Sequence, residues 1–200
     1  MKQITTSGTS KTNEERIRFI LDQISKNSLS TDRSYVIAID GMAAAGKSTL
    51  AADLATILNA DLIHMDDFFL PPELRTEERL NTPGGNVHYE RFQAEVLPYL
   101  STAQAFSYRI FDCSRMELHG EQELTAKSYR IVEGSYSCHP IFGDYADLTI
   151  FLQIDPEEQM HRIRQRNGNE KAEMFRTRWI PLENAYFDAY STSRKANLIL

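Results

Sequence analysis

Apolar positions in this chain gather in short unbroken runs, and between the runs they recur at helical spacing. The runs are Tyr35–Asp40 (YVIAID), Asp61–Met65 (DLIHM), Ser128–Glu133 (SYRIVE), Leu148–Ile154 (LTIFLQI) and Asn197–Leu200 (NLIL). Short, β-branched and without polar alternation, they predict strands of a parallel sheet covered on both faces. Ile17, Ile20, Leu21 and Ile24 predict a helix from Asn13, and Leu50, Leu54, Ile57 and Leu58 one from Lys47 to Asn59. Further helices are expected over Tyr89–Leu100, Pro156–Arg166 and Glu170–Ser191, the last interrupted near Pro181. Phe106–Ile110 and Glu117–Leu124 read as peripheral strands. Residues 1–13 read as a flexible polar lead-in and 25–33 as a loop. Alternating strands and helices predict a doubly wound parallel sheet with right-handed crossovers. Neither an internal repeat nor a linker divides the chain, so 1–200 is expected to be one domain.

The stretch 66–88 breaks the pattern. It holds Pro71, Pro72, Pro83 and Gly84–Gly85, and an excursion of that length in a compact fold points to a functional loop. Composition changes the picture little: 42% apolar and 25% charged residues over 200 positions exclude disordered and fibrous classes. A net charge of −6 argues against gripping nucleic acid by bulk charge, and directs attention to a local basic pocket. Cys113 and Cys138 are too few for a disulfide framework or a four-thiolate zinc site. One bridge stays open to them, and the reducing cytosol is the simpler setting. No apolar run reaches the ~18–20 residues of a membrane span, and the polar N-terminus lacks the apolar core of a secretory signal. A cytoplasmic protein without a membrane partner is expected.

The strongest local signal is Gly41-Met42-Ala43-Ala44-Ala45-Gly46-Lys47-Ser48, which fits G-x-x-x-x-G-K-[ST]. It follows a predicted buried strand and opens a predicted helix, the setting in which backbone N–H groups converge on phosphate oxygens. Gly41, Ala43, Ala44, Ala45, Gly46, Lys47, Ser48 and Thr49 are thus candidate nucleotide ligands. Lys47 can reach β/γ-phosphates and the Ser48 hydroxyl can hold Mg²⁺, and the loop alone leaves a kinase, a GTPase and a motor ATPase open. Asp66 and Asp67 stand where the second strand ends, the side on which open parallel sheets bind ligands. Asp66 there accepts the proton of an attacking hydroxyl or holds Mg²⁺ through water. Glu133 closes a third strand before Gly134 and is a second candidate metal ligand.

Arg162 and Arg166 share one face of the helix 156–166, and Arg164 points away. Just before Gly168, that face can fold over a triphosphate as a lid (156–168) or lie solvated against Glu157 and Glu158. Arg176 and Arg178 are further basic candidates. Trp179, with Ile180, Tyr186 and Phe187, reads as core packing or a face between subunits of a homo-oligomer rather than a base-stacking platform. His64 reads as a packed or hydrogen-bonded side chain, and Cys138 and His139 are too few for zinc.

Together Ile39-Asp40-Gly41…Gly46-Lys47-Ser48, Met65-Asp66-Asp67-Phe68-Phe69, Pro83-Gly84-Gly85-Asn86-Val87-His88-Tyr89-Glu90-Arg91-Phe92, Ile131-Val132-Glu133-Gly134 and Arg162–Gly168 resemble the uridine kinase/phosphoribulokinase-like P-loop kinases, and among them the uridine kinase-like proteins. The resemblance runs from about Tyr35 to the end of the chain. It implies a three-layer α/β fold, the P-loop nucleoside triphosphate hydrolase fold, with a doubly wound, mostly parallel five-stranded sheet. It also implies transfer of the γ-phosphoryl group of MgATP to a hydroxyl of a small molecule, first among them a nucleoside. Asp66 is then the general base, Lys47, Arg162 and Arg166 assist transfer, and Ser48 and Glu133 serve Mg²⁺.

For the acceptor, the resemblance points to Asp66, Phe69, His88, Tyr108 and Arg115. The family's Tyr-Asp-Phe-x-x-His-Ser-Arg segment is here Tyr108-Arg109-Ile110-Phe111-Asp112-Cys113-Ser114-Arg115. Tyr108 and Arg115 survive, Arg109 and Cys113 replace the acid and the histidine, and His88 falls near the family's sugar-binding acid. A thiol is a weak donor, so a sugar or vitamin-like alcohol stays open beside a nucleoside. Relatives continue past the last strand into a loop that packs on adenine. This sequence stops at Leu200, so a minimal adenine pocket or a clipped sequence is expected. An ATP-binding or ATPase protein acting through a partner is the alternative. A guanine-nucleotide switch lacks its Asn-Lys-x-Asp run.

Overall fold

The computed structural model describes residues 4–5, 12–26 and 32–200. Most of the predicted polar lead-in and positions 27–31 of the predicted loop lie outside the described residues. The sheet is built around β2 (Tyr35–Gly41), flanked by β6 (Tyr129–Glu133) and β7 (Leu148–Leu152). Outside β6 lies β3 (Asp61–His64); outside β7 lies β8 (Leu198–Ile199), then the two-residue β1 (Ile4–Thr5). All these pairings are parallel. The five predicted strands are therefore present in one parallel sheet, and β1, inside the predicted lead-in, extends its edge.

Every residue of β2 is buried, as its unbroken apolar run requires. Ile37 and Ile39 pack on one face with Ile20 and Ile24 of α1 (Asn13–Ser25) and Leu50 and Leu54 of α2 (Lys47–Leu58). Val36 packs on the other face with Phe92 of α4 (Tyr89–Glu95) and with Tyr186 and Phe187 of α6 (Ile180–Tyr190). The strand's period of two sends even positions to this second face, and it is there that Asp40 is fully buried. Thr12 starts α1 with a capping box, its hydroxyl accepting from Glu15 N–H while the Glu15 carboxylate accepts from Thr12 N–H.

The excursion after β3 is more regular than expected. A 3₁₀ turn (Met65–Phe68) and α3 (Glu77–Asn81) lie within it. β4 (Phe106–Asp112) and β5 (Glu117–Leu124) form a separate antiparallel hairpin. The predicted lid helix is longer than its sequence signal: α5 runs Pro156–Met174 with a break at Gly168 (φ 78°, ψ 168°). A π-helical turn over Phe175–Trp179 joins α5 to α6. Pro181 has no N–H to return to the preceding turn, and Ile180 N–H reaches back five residues to Phe175 O. Among the described residues, no helix is long and apolar enough to cross a membrane.

Arg130 of β6 is fully buried and fastens the hairpin to the sheet. Its guanidinium donates to carbonyls at both ends of the hairpin, namely those of Tyr99, Leu100, Thr102 and Gln104 before it and Thr125 after it. The ring of Phe106 lies 4.9 Å from its charge centre. Arg130→Met keeps the apolar stem and orphans these acceptors. At ~1–3 kcal/mol for a buried unpaired group, urea denaturation should show a loss of about 3 kcal/mol or more. A loss below about 1 kcal/mol would mean that the carbonyls find other partners.

Candidate active site

The loop between β2 and α2 is shaped by one close approach. Gly41 has φ 135°, and a Cβ there would lie 2.2 Å from Leu152 O. Only glycine lets Met42 N–H bond Leu152 O at 3.0 Å. Ala44 (φ 59°) and Gly46 (φ 95°) turn left-handed, which curls the loop into a nest of N–H groups. Gly46 caps α2 without a side chain, so the first-turn donors of α2 keep no capping partner. Lys47 Nζ bonds the loop's own carbonyls, Gly41 O at 2.7 Å and Met42 O at 3.0 Å. Donors, helix dipole and ammonium converge here, which suits phosphate oxygens.

Beneath the loop lies Asp40. It accepts from Gly41 N (2.7 Å), Tyr136 N (3.2 Å), Cys138 N (3.0 Å) and the Tyr186 hydroxyl (2.8 Å). Burial pushes its carboxyl above the ordinary carboxylate range, against the pull of those bonds and of Lys47. One side chain thereby fixes the phosphate loop, the segment after β6 and α6 to one another.

A cavity of about 830 Å³ opens over this platform. Ser48 Oγ donates to Glu133 Oε2 at 3.3 Å, and Glu133 Oε1 pairs with His64 Nδ1 at 2.6 Å. The Glu133 bond holds the His64 pKa up. His64 is thus the hydrogen-bonded side chain that the sequence suggested. Asp66, in the 3₁₀ turn after β3, opens to the cavity's water while protein encloses it. That enclosure and the nearby Glu133 charge raise its pKa, and Lys47 opposes them. The neighbouring Asp67 turns away and accepts from the Tyr108 hydroxyl at 2.7 Å. Adjacent acids thus divide into one facing the cavity and one fixed in the wall behind it.

From α5, Arg162 and Arg166 both reach the cavity wall. Arg162 pairs with Glu158 at 2.7 Å and touches Ala44 O at 3.4 Å; the Arg166 charge centre lies 5.9 Å from the Phe175 ring. Arg162 therefore touches the loop after β2 while still holding its solvated partner. Gln159 Nε2 adds a bond to Ala43 O at 3.0 Å. Glu183 of α6, only 7% exposed, accepts from Ala43 N at 2.9 Å and from Ser135 Oγ at 2.7 Å. Burial raises its pKa, with Lys47 opposing.

Of the nucleotide candidates, Ala43, Ala44, Gly46, Lys47, Ser48 and Thr49 line the cavity, as do Glu133, Asp66 and Phe69. Two members of the loop do not. Gly41 is turned against β7, and Ala45 is 1% exposed in the core beside α2. Three acceptor candidates also stand outside. His88 caps α4, accepting from Arg91 N at 3.1 Å. Tyr108 is 2% exposed, its ring packed on Phe68 at 5.0 Å and its hydroxyl committed to Asp67. Arg115 points to solvent, with Asp112 at 3.7 Å and His119 at 3.3 Å. In their place Cys113 and Met116 of the hairpin turn reach the cavity, with Arg75, Asn86 and Tyr136. Trp179 is wall rather than core, its ring 6.4 Å from that of Phe69. Tyr136 was findable as the residue three past Glu133; Glu183 and Arg75 carry no local motif.

No known family profile matches the chain. Its backbone is similar to that of a protein described as a possible uridine kinase from Bacillus stearothermophilus, with a TM-score of 0.72 and 18% identity over 94% of this chain and 98% of that one. A protein provisionally assigned as a fructose transport system kinase from Silicibacter sp. TM1040 gives 0.73 and 22%, over 96% and 100%. The D-glycerate 3-kinase of Cryptococcus neoformans gives 0.62 and 17%, over 88% of each chain. At these identities the likeness shows a shared α/β fold and no more.

Glu183 supplies a pH test of its bond to the phosphate loop. An acid whose pKa rises on folding stabilises the protein below its unfolded pKa, near 4.5, and loses that contribution as pH rises through the folded value. The stability of Glu183→Gln relative to wild type should therefore improve as pH is raised from about 4 to about 7, read by denaturant unfolding at each pH. A difference independent of pH would contradict the strained, buried carboxylate.

Proposed function

We propose that the chain is an ATP-dependent phosphotransferase that moves the γ-phosphoryl group onto a hydroxyl of a small molecule, in the manner of uridine kinase-like proteins. One observation carries this most: a single cavity joins the phosphate loop, with Lys47 and Ser48, to the carboxylate of Asp66. The fold likeness to kinases for several different acceptors supports the reaction class and leaves the acceptor open. The nucleoside part of the resemblance rests on Tyr108 and Arg115, and neither lines the cavity. The acceptor is accordingly a hydroxyl-bearing small molecule. The thiols of Cys113 and Cys138 are both free, which suits a reducing cytoplasm.

Magnesium fits the residues present. Ser48 and Glu133 offer hard oxygen donors 3.3 Å apart beside the phosphate loop. Among the described residues no group of three or more His, Cys, Asp or Glu forms a metal cage, and magnesium needs none, since it binds through few protein oxygens plus phosphates and water. When bound, it would draw charge from the phosphate oxygens.

Asp66 takes the proton of the acceptor hydroxyl as that oxygen attacks the γ-phosphorus. The bond to the β,γ-bridging oxygen breaks, and its electron pair leaves with ADP. A raised pKa makes Asp66 a stronger base at the moment of transfer. Lys47, Arg162 and Arg166 face the charge that gathers on the phosphate oxygens. Phe69, Phe175 and Trp179 wall the cavity with rings that exclude water, which competes with the acceptor.

Asp66→Asn keeps the shape and removes the base. With an accepted alcohol found by screening for ADP release, kcat should fall by about 10²–10⁴-fold, while KM for MgATP stays within a few-fold. An undiminished kcat would remove Asp66 from this role. ADP release that no alcohol accelerates would favour an ATPase acting through a partner.

A further inference from the structure

Resting on the phosphotransferase assignment, we propose that the acceptor carries an anionic group, a carboxylate or a phosphate, beside the hydroxyl, and that Arg75 binds it. Arg75 follows the short turn Pro72–Leu74 within the long excursion and lines the cavity. Its Nε donates to Leu70 O at 2.8 Å, which fixes the plane of the guanidinium. Of the other arginines that line the cavity, Arg162 pairs with the Glu158 carboxylate and Arg166 bonds the Asn167 side-chain oxygen. Arg75 has no such partner among the described residues, so Nη1 and Nη2 stay available as a pair. Two parallel N–H donors on one edge match the two oxygens of a carboxylate or phosphate.

Its position is at the acceptor end. Arg75, Cys113 and Asp66 line the same cavity. Burial raises the pKa of the Cys113 thiol, the Asp66 charge adds to that rise, and Arg75 opposes it. Two further polar groups border the cavity. Asn86 is 8% exposed, and its side chain lies against Tyr136, tempering the rise that burial gives the tyrosine's pKa. Tyr136 lines the same cavity.

Electrostatics gives the same answer. An anion brought beside Asp66 and Glu133 is repelled by both, and it binds there only against a fixed cation. A neutral alcohol accepts only single hydrogen bonds from Arg75, weaker than the charged two-point pairing an acid makes. Arg75 therefore sets a preference of acids over neutral alcohols.

The test uses matched pairs: glycerate and glycerol, gluconate and glucose, ribose 5-phosphate and ribose. Each is assayed with MgATP for ADP release, and with a non-hydrolysable ATP analogue and Mg²⁺ for a shift in melting temperature. Wild type should favour a charged member at least tenfold in kcat/KM, with the carboxylate and phosphate pairs telling the two sources apart. Arg75→Gln should lose that preference through KM for the acid, with KM for MgATP unchanged, and Arg75→Lys should restore part of it. Equal use of charged and neutral members, or a preference that survives Arg75→Gln, overturns the assignment of Arg75. So does a raised KM for MgATP instead, which would place Arg75 on the nucleotide. Absence of ADP release with every alcohol counts against the phosphotransferase. Arg75-dependent melting shifts with the acids would still uphold the anion site, and their absence would overturn it.

Discussion

The arrangement of the cavity depends on one buried carboxylate. Asp40 is the penultimate residue of the central strand, and its carboxylate accepts from three backbone N–H groups and a tyrosine hydroxyl. Those donors come from the phosphate loop, the turn after β6 and helix α6. A buried charge without partners would cost several kcal/mol; fully partnered, it specifies how three segments meet. The positive φ of Tyr136 is part of that bargain, because it is Tyr136 N–H that turns back onto Asp40. The same turn carries Gly134 and Ser135, and Ser135 passes the connection on to Glu183 and so to Ala43.

Around that anchor the charges are sorted by position. Lys47, Arg162 and Arg166 gather near the phosphate loop, and Glu133 is pinned between Ser48 and His64. Among the described residues, Asp66 alone of the cavity acids has no hydrogen-bond donor, and its pKa is raised. An acid left unpartnered beside a phosphate cradle is suited to taking a proton from an incoming hydroxyl. The net charge of −6 conceals this arrangement, because most of the excess acid lies elsewhere on the chain.

The strands and the phosphate loop are legible in the sequence because each is a local signal: an unbroken apolar run, or a glycine pattern bounded by strand and helix. Asp66 and Glu133 are legible for a related reason, since strand ends on one side of a parallel sheet meet. Tyr108 and Arg115 do not line the cavity, because a motif preserves residue type without preserving direction. The hairpin turns Tyr108 inward onto Asp67 and leaves Arg115 in solvent, and brings Cys113 to the cavity in their place. Trp179 reads as core because its neighbours are apolar, yet the π turn ahead of Pro181 carries it into the cavity wall. Glu183 has no local signal: its partners are 140 and 48 residues away.

The central claim is that this cavity couples nucleotide cleavage to a small-molecule hydroxyl. Phosphorus-31 NMR of the protein with MgATP and a pool of polyols, sugar acids and nucleosides tests it directly. The account predicts a new phosphomonoester resonance that grows in step with ADP. Growth of inorganic phosphate with ADP, and no ester under any acceptor, would contradict it.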